Sequence, residues 1–334
     1  MSFPLIAVVG PTGSGKSSLA LELAERFSGE IVSCDSLQVY KYFDIGTAKL
    51  TTAQQRGIPH HLIDIVEPDQ LFTAGDYARL GRKVLENVRL RSRLPIVAGG
   101  TGLYLKALLE GLFEGPQRSE VLRKRFQRLA ARKGSTHLHH LLRRIDSPSA
   151  LRISPNDKSK LIRALEVFFL TTKPLSLHLH GGRDPLKGYT IFKIGLNPAR
   201  SLLYQAIDRR VEEMFNVGLV KEVEALQAKG YPFQLKPFQS LGYSQTVAYL
   251  QRKKSLEQAI AETQQETRHY VKRQLTWFRK EKEIQWFYGF GSDATVQATV
   301  FRQISEFIRD TPVRVEGTQS CLHLEKALTE EDCP

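Results

Sequence analysis

The sequence predicts an α/β fold: a parallel sheet flanked by helices, with a helical insertion. Short apolar runs alternate with helical or polar stretches, as they do in doubly wound sheets. The first run ends in a glycine-rich turn that opens a helix, and a basic stretch without strand signals begins near residue 116. Because ligands of such sheets bind beyond the carboxyl ends of the strands, we expect the functional residues at that edge.

The first predicted element is a buried strand that leads into a phosphate-binding loop. The apolar run PLIAVVG (4–10) precedes the pattern Gly10-x4-Gly15-Lys16-Ser17, and a helix is predicted from Lys16 to Arg26. A P-loop between a strand and a helix binds phosphates with its backbone N–H groups and its lysine, while Ser17 can ligate Mg²⁺. The predicted sheet is therefore P-loop NTPase-like. The loop specifies a pair of bridged phosphates, but neither adenine nor a γ-phosphate.

The later strands carry polar residues where they end. They are predicted at 30–36, 61–66, 94–100 and 189–196. Asp35 is either a turn-capping residue or a general base facing the phosphates. The turn Gly99–Gly102 is either a plain helix entry or a ligand contact. A typical ATPase would carry an acidic Mg²⁺ ligand at the end of a strong apolar strand, whereas LPIVAGG (94–100) ends in glycines. This difference disfavours phosphoryl transfer.

A basic helical insertion is predicted at 116–188. Residues 116–144 contain nine lysines and arginines against one acid, Glu120, and their apolar residues recur at helical spacing. Further helices are predicted at 157–170, 240–250 and 266–282, and the last of these has a second basic face. Together, the basic faces favour a nucleic-acid surface over ordinary solvated helices.

The remaining residues define the other predicted domains. Residues 1–115 and 189–315 would form the P-loop core with its C-terminal helices. The acidic segment 316–334 would be a flexible tail.

The overall composition limits the class of protein. The chain has 334 residues, with 48 Lys+Arg against 35 Asp+Glu and a net charge of +13, an excess that suits a polyanion-binding protein. The three cysteines show neither zinc-ligand pairing nor a disulfide framework. Neither a signal peptide nor a membrane-spanning run is recognisable. We therefore expect a cytoplasmic protein without a membrane partner, and a monomer.

Several segments, in order from residue 10 to about 280, resemble the tRNA dimethylallyltransferase (tRNA isopentenyltransferase) family. They are GPTGSGKSSLA, DSLQVYKYFDIGTAK, GIPHHLIDI, AGGTGLYLKAL, RISPNDKSKLIRALEV, MFNVGLVKEV and RHYVKRQLTWFRK. The family usually has alanine where Gly13 stands and Ala-Ile-Gly-Tyr in place of SLGY. We expect no counterpart of the C-terminal zinc finger of eukaryotic members, because Cys321 and Cys333 lack zinc-ligand pairing.

The resemblance implies a prenyl transfer to RNA. The family moves a dimethylallyl group from dimethylallyl diphosphate to N6 of the adenine at tRNA position 37, immediately 3′ of the anticodon. The products are N6-dimethylallyladenosine and diphosphate. By this resemblance the catalytic residues are Asp35, as the base, and Thr101. The cofactor is Mg²⁺ at Ser17, and the diphosphate-binding residues are Gly10, Pro11, Thr12, Gly13, Ser14, Gly15, Lys16, Ser17 and Arg210.

The same resemblance implies that the insertion grips the tRNA anticodon arm and that the target adenine is extruded into the site. The matching tRNA-binding residues are Asp35, Ser36, Leu37, Gln38, Thr101, Arg123, Ser159, Lys160, Leu161, Ile162 and Arg163.

Three other functions remain open for these motifs. A transferase acting on free adenine nucleotides would share the phosphate cradle and Asp35 but would not need a basic insertion. A small-molecule kinase or ATPase would use the P-loop conventionally. A non-catalytic RNA-binding protein would leave the donor pocket without a purpose.

Overall fold

The computed structural model of this protein describes residues 2–311. These residues divide into two compact units: one consists of 2–109 and 186–311, and the other is Glu110–Pro185. The predicted tail at 316–334, with Cys321 and Cys333, lies outside the described residues. Within 2–311, no helix combines the length and the apolar character needed to cross a membrane.

A six-stranded parallel sheet lies at the centre of the larger unit and confirms the predicted α/β class. In chain order the strands are β1 (Phe3–Val9), β2 (Gly29–Ser33), β3 (His60–His61), β4 (Leu94–Gly99), β5 (Tyr189–Leu196) and β6 (Ile284–Phe287). Their order across the sheet is β3-β2-β4-β1-β5-β6. The register pairs Val9 with Gly99 and Ser33 with Ala98, so β1, β4 and β2 end side by side.

Helices account for most of the remaining described chain. They are α1 (Lys16–Arg26), α2 (Ala74–Leu90), α3 (Gly102–Glu110), α4 (Glu120–Lys133), α5 (Ser135–Ile145), α6 (Ser147–Arg152), α7 (Lys158–Thr171), α8 (Leu175–His180), α9 (Arg200–Val217), α10 (Leu219–Ala228), α11 (Tyr243–Leu250), α12 (Leu256–Phe278) and α13 (Ala294–Asp310).

The sheet of the larger unit is covered on both faces, because side chains alternate along each strand. Leu5, Ala7 and Val9 of β1 pack in one apolar cluster, together with residues of α9 and α12. Ile6 and Val8 pack in a second cluster, together with residues of α1 and α13. This double burial explains why β1 reads as a continuous apolar run.

The strand predicted at 61–66 is wrong beyond its first residue. Leu62 and Asp64 have φ of +62° and +55°, a left-handed conformation that ends the strand. The following residues instead bond to the loop after β2, with Ile65 N–H donating to Val39 O at 2.9 Å. The apolar run therefore forms a loop that is bonded to the segment after β2, and it does not extend the sheet.

Two helix predictions need corrected boundaries. The helix predicted at 266–282 is α12, which begins at Leu256 because Ser255 and Gln258 form a capping box. The helix predicted at 240–250 begins only at Tyr243, since Gly242 has a φ of +83° and follows a 3₁₀ turn, Lys236–Gln239. β6 and α13 were not predicted.

The smaller unit is helical and has its own apolar core. Phe126, Leu138, Leu142 and Leu165 are buried in that core, and they come from α4, α5 and α7. The two ends of this unit lie close together, because Arg183 forms an ion pair with Glu110 at 2.5 Å. The unit comprises Glu110–Pro185, whereas the sequence predicted an insertion at 116–188.

Candidate active site

The P-loop turns from the end of β1 into the N-terminus of α1. Gly13 and Gly15 have φ of +82° and +83°, where glycine is the favoured residue. The Gly291 N–H donates to Ser14 O at 2.9 Å, so the segment after β6 supports the loop from outside. Across the loop, the Lys16 ammonium donates to Pro11 O at 2.7 Å.

A cavity of about 150 Å³, called the cradle below, lies at this loop and is lined by Lys16, Ser17, Asp35 and Arg210. Burial and the nearby Arg210 charge lower the pKa of Lys16 to about 7, against the opposing effect of Asp35. Burial also lowers the pKa of Arg210. Two cations in one buried cavity repel each other, and an anion placed there would stabilise both.

Arg210 has a buried donor that is not used within the described chain. Its Nε atom is inaccessible to solvent and has no hydrogen-bond partner among residues 2–311. Leaving such a donor unpaired costs roughly 1–3 kcal/mol. The family resemblance implies that Arg210 binds the diphosphate, and in the structure Arg210 lies in the wall of the cradle with Thr12, Gly13, Gly15, Lys16 and Ser17. Gly10, Pro11 and Ser14 belong to the loop but not to that wall.

Asp35 follows β2, and its two carboxylate oxygens differ in environment. Oδ1 accepts the N–H groups of Leu37 at 2.8 Å and Gln38 at 3.3 Å, which caps the turn. Within the described residues, Oδ2 accepts no hydrogen bond. Asp35 therefore occupies the turn-capping position that the sequence allowed, and it also faces the cradle.

Thr101 lies beside this turn without lining either cavity near Asp35. Its hydroxyl accepts the Ser36 N–H at 3.1 Å, and its own N–H donates to Cys34 O at 3.2 Å. The Gly99 backbone runs so close to Cys34 that a Cβ would approach the Cys34 oxygen to 2.1 Å. Thr101 is thus tied to the loop that carries Asp35.

A second and larger cavity, the side cavity, opens next to the cradle. Its volume is about 540 Å³, and it shares Thr12, Asp35, Thr47 and Arg210 with the cradle. Its wall combines polar groups with the apolar side chains of Leu37, Tyr40, Val211, Met214, Leu241 and Tyr270. Asp35 therefore faces a phosphate-sized cavity on one side and a larger, partly apolar cavity on the other.

The predicted tRNA-binding residues of the larger unit fall into two groups. Ser36 and Leu37 line the side cavity. The Gln38 amide, by contrast, accepts from Ser33 Oγ at 2.9 Å and donates to Thr47 O at 3.3 Å. Because both ends of this amide are bonded inside the protein, Gln38 supports the cradle wall rather than presenting a free amide to a base.

In the smaller unit, Arg123 and Arg163 hold a buried carboxylate. The Arg123 guanidinium donates to both oxygens of Glu166, at 2.9 and 3.0 Å, and Arg163 donates to Glu166 Oε2 at 2.7 Å. Burial alone would raise the pKa of Glu166, but these hydrogen bonds outweigh it and lower the pKa. The two arginines therefore stabilise this unit.

Leu161 and Ile162 are core residues of the same unit, with 0% and 4% exposure. Both side chains pack in the apolar core of that unit, and Ile162 also lines a groove between α4 and α7. Ser159 and Lys160 are exposed, and Lys160 pairs with Asp157 at 2.7 Å. Of the predicted segment 159–163, only these two side chains are fully open to a partner.

A basic groove of about 640 Å³ runs between α4 and α7. Its exposed lining residues include Lys124, Arg128 and Lys158, which the site predictions omitted. The composition of 116–144 signalled the groove, but choosing among its cations required knowing which of them pair with Glu166.

The donor set at the cradle fits a Mg²⁺ ion that is held mostly by its substrate. Among residues 2–311, no group of three or more His, Cys, Asp and Glu side chains could hold a metal. Ser17 supplies one hydroxyl in the cradle wall, with Asp35 in the same cavity. Mg²⁺ usually keeps several waters and binds substrate phosphates, and the hydroxyl of a P-loop serine commonly adds a ligand, so Ser17 fits that role.

Comparison with known proteins identifies the family. The sequence profile of the IPP transferase family matches residues 38–281. The chain belongs to the IPP transferase family. The match begins after the P-loop and Asp35.

Curated relatives cover nearly the whole chain. A tRNA dimethylallyltransferase of Solibacter usitatus is 52% identical over 305 residues, which are 91% of this chain and 99% of the relative. A tRNA dimethylallyltransferase of Koribacter versatilis is 53% identical over 297 residues, 89% of this chain and 96% of the relative.

Solved structures are similar over the same length. The tRNA isopentenylpyrophosphate transferase of Bacillus halodurans is 35% identical with a TM-score of 0.67, over 97% of this chain and 98% of its own. A eukaryotic dimethylallyltransferase acting on tRNA is 26% identical with a TM-score of 0.78, over 94% of this chain and 82% of its own.

Sequence reasoning missed one buried polar residue at the site. Gln274 of α12 is only 5% exposed, and its amide bonds to both the P-loop and the turn after β4. A signal existed: Gln274 lies three residues after Val271 and four before Phe278, both of which are buried. A glutamine at a core position of an amphipathic helix needs internal partners.

Proposed function

We propose that this chain transfers a dimethylallyl group from dimethylallyl diphosphate to N6 of the tRNA adenine immediately 3′ of the anticodon. The observation that carries the proposal is that Asp35 lines both the cradle and the side cavity. A base at the junction of two cavities can act on one substrate while the leaving group of another is bound on its other side.

The cradle suits the diphosphate of the donor. Lys16, Arg210 and the P-loop N–H groups offer positive potential in a buried space. The volume of the cradle, about 150 Å³, suits a pair of bridged phosphates. The apolar part of the side cavity suits the prenyl group.

The acceptor would enter through the side cavity. At about 540 Å³ this cavity is large enough to hold an extruded purine together with a five-carbon chain. The net charge of +13 and the basic groove between α4 and α7 support an RNA acceptor. A free adenine nucleotide would need neither feature.

The reaction follows from these positions. The N6 lone pair of adenine forms a bond to the first carbon of the prenyl group, the carbon–oxygen bond breaks, and diphosphate leaves with the electron pair. The N6 proton passes to the Asp35 carboxylate, whose Oδ2 is unoccupied by other donors of the described chain. Lys16 and Arg210 stabilise the charge on the leaving diphosphate. Mg²⁺, which Ser17 would help to hold, neutralises part of that charge when it is bound.

A direct assay tests the proposal. Purified protein, Mg²⁺ and labelled dimethylallyl diphosphate are incubated with an unmodified tRNA, with the same tRNA carrying guanine 3′ of the anticodon, or with AMP. We expect label only in the first tRNA, recovered as N6-dimethylallyladenosine after digestion. Label in AMP and not in tRNA would overturn the proposal, as would release of phosphate from ATP without any prenyl transfer.

A further inference from the structure

Gln274 makes two hydrogen bonds that join separate parts of the site. Its Oε1 accepts the Thr12 N–H at 2.8 Å, and its Nε2 donates to Gly100 O at 3.0 Å. An amide has one acceptor end and one donor end, so this orientation is the one that satisfies both partners. The side chain is buried, with 5% exposure, so water does not substitute easily for either bond.

The two partners belong to different catalytic elements. Thr12 is in the P-loop and lines both the cradle and the side cavity. Gly100 precedes Thr101, whose hydroxyl accepts the Ser36 N–H next to Asp35. Gln274 therefore connects the loop that would bind the diphosphate to the turn that supports the base.

The Gln274 side chain is closely packed against the turn that carries Gly100. A Cβ on Gly100 would approach Gln274 Nε2 to 2.3 Å, so glycine is what permits the bond. One turn further along α12, Trp277 lies against Gly102, where a Cβ would approach the indole to 2.2 Å. The C-terminal end of α12 therefore contacts this turn through two residues, Gln274 and Trp277.

We propose that Gln274 is a positioning residue that sets the distance between the donor cradle and Asp35. This inference rests on the proposed function and adds a residue to it. A prenyl transfer needs the donor carbon, the acceptor nitrogen and the base to be aligned. Loss of the two Gln274 hydrogen bonds would make that alignment less precise, although no group that touches substrate would be removed.

The test compares Gln274→Met, which keeps the length of the side chain and removes both hydrogen bonds, with Gln265→Met. Gln265 is an exposed glutamine of the same helix. We expect kcat for transfer to tRNA to fall by about 10- to 100-fold in Gln274→Met, with the KM for tRNA unchanged. Gln265→Met should match the unsubstituted protein.

A structural role alone would give a different result. If Gln274 had only a structural role, its substitution would reduce the amount of folded protein and leave kcat per binding site unchanged. The number of binding sites is measured by the stoichiometry of inorganic diphosphate binding. Gln274→Glu is the second variant: it can still accept the Thr12 N–H but cannot donate to Gly100 O as a carboxylate, and we expect it to lose kcat as well. If either folded variant keeps kcat within about twofold of the unsubstituted protein, the inference is overturned. Failure of the unsubstituted protein to prenylate tRNA would instead overturn the proposed function.

Discussion

At the scale of single residues, Asp35 combines two tasks in one carboxylate. Its Oδ1 is occupied by two backbone N–H groups, and its Oδ2 accepts no hydrogen bond from the described residues. The capping oxygen fixes the side chain, so the free oxygen is held in place without a further partner. Removing the whole side chain would therefore disturb both the turn and the chemistry, whereas an amide would disturb only the chemistry.

We predict that Asp35→Asn lowers kcat by about 10²- to 10⁴-fold, because asparagine keeps the capping oxygen and cannot accept the N6 proton. Affinity for inorganic diphosphate, measured by calorimetry, should be equal or tighter, since one negative charge leaves the cradle. A variant that lost diphosphate binding but kept kcat at saturating donor would contradict the assignment of Asp35 as the base.

Lys16 gives the site a dependence on pH. Burial and Arg210 lower its pKa to about 7, so above that pH the lysine of the free protein is largely neutral. A bound diphosphate favours the charged form, and binding therefore takes up a proton.

We predict that affinity for the donor falls by up to about tenfold per pH unit above neutrality, measured between about pH 6 and pH 9. The Lys16→Met variant, measured in parallel, reports the titration of the diphosphate itself. Equal slopes in the two proteins would show that Lys16 does not titrate in this range.

At the scale of elements, the contact between α4 and α7 depends on a carboxylate with no exposed surface. Glu166 is 0% exposed, and the Arg123 side chain that covers it is 16% exposed. Removing one partner of a buried pair leaves a charge without compensation, which costs more than the pair contributes when intact.

We predict that Arg123→Leu lowers the free energy of unfolding by about 3 kcal/mol, the lower end for a broken buried pair, because Arg163 still bonds to Glu166. The matched control is Arg125→Leu on the exposed face of α4, which should change stability little. Chemical denaturation of the full chain measures both.

The exposed cations of the groove should behave in the opposite way. Lys124→Ala combined with Arg128→Ala should raise the KM for tRNA and flatten its dependence on salt, with stability unchanged. If Arg123→Leu instead weakened tRNA binding at full stability, Arg123 would be an RNA contact as the sequence first suggested.

At the scale of the whole molecule, the parallel sheet explains why distant residues meet. β1, β2 and β4 end side by side, which brings the P-loop, Asp35 and the Gly99–Thr101 turn to one edge. Arg210 and Gln274 reach the same edge from α9 and α12, which pack on one face of the sheet. The site therefore depends on the order of the strands and on the packing of two late helices.

Features that depend on local patterns are predictable from the amino-acid sequence of this chain. The continuous apolar run of β1, the spacing of Gly10 to Ser17 and the basic composition of 116–144 were enough to predict the α/β class, the phosphate cradle and a helical insertion. These features depend on backbone preferences and burial within a short stretch of chain, which local sequence controls directly.

The partners of the polar residues, by contrast, are known only from the folded chain. Arg123 and Lys124 are neighbours with the same charge and line the same groove, yet only Arg123 pairs with Glu166, 43 positions away, whereas Lys124 is exposed. Gln274 bonds to Thr12 and Gly100, which are 262 and 174 positions away. Pairing over such distances depends on how helices pack on the sheet, and the spacing of residues along one chain does not contain that information.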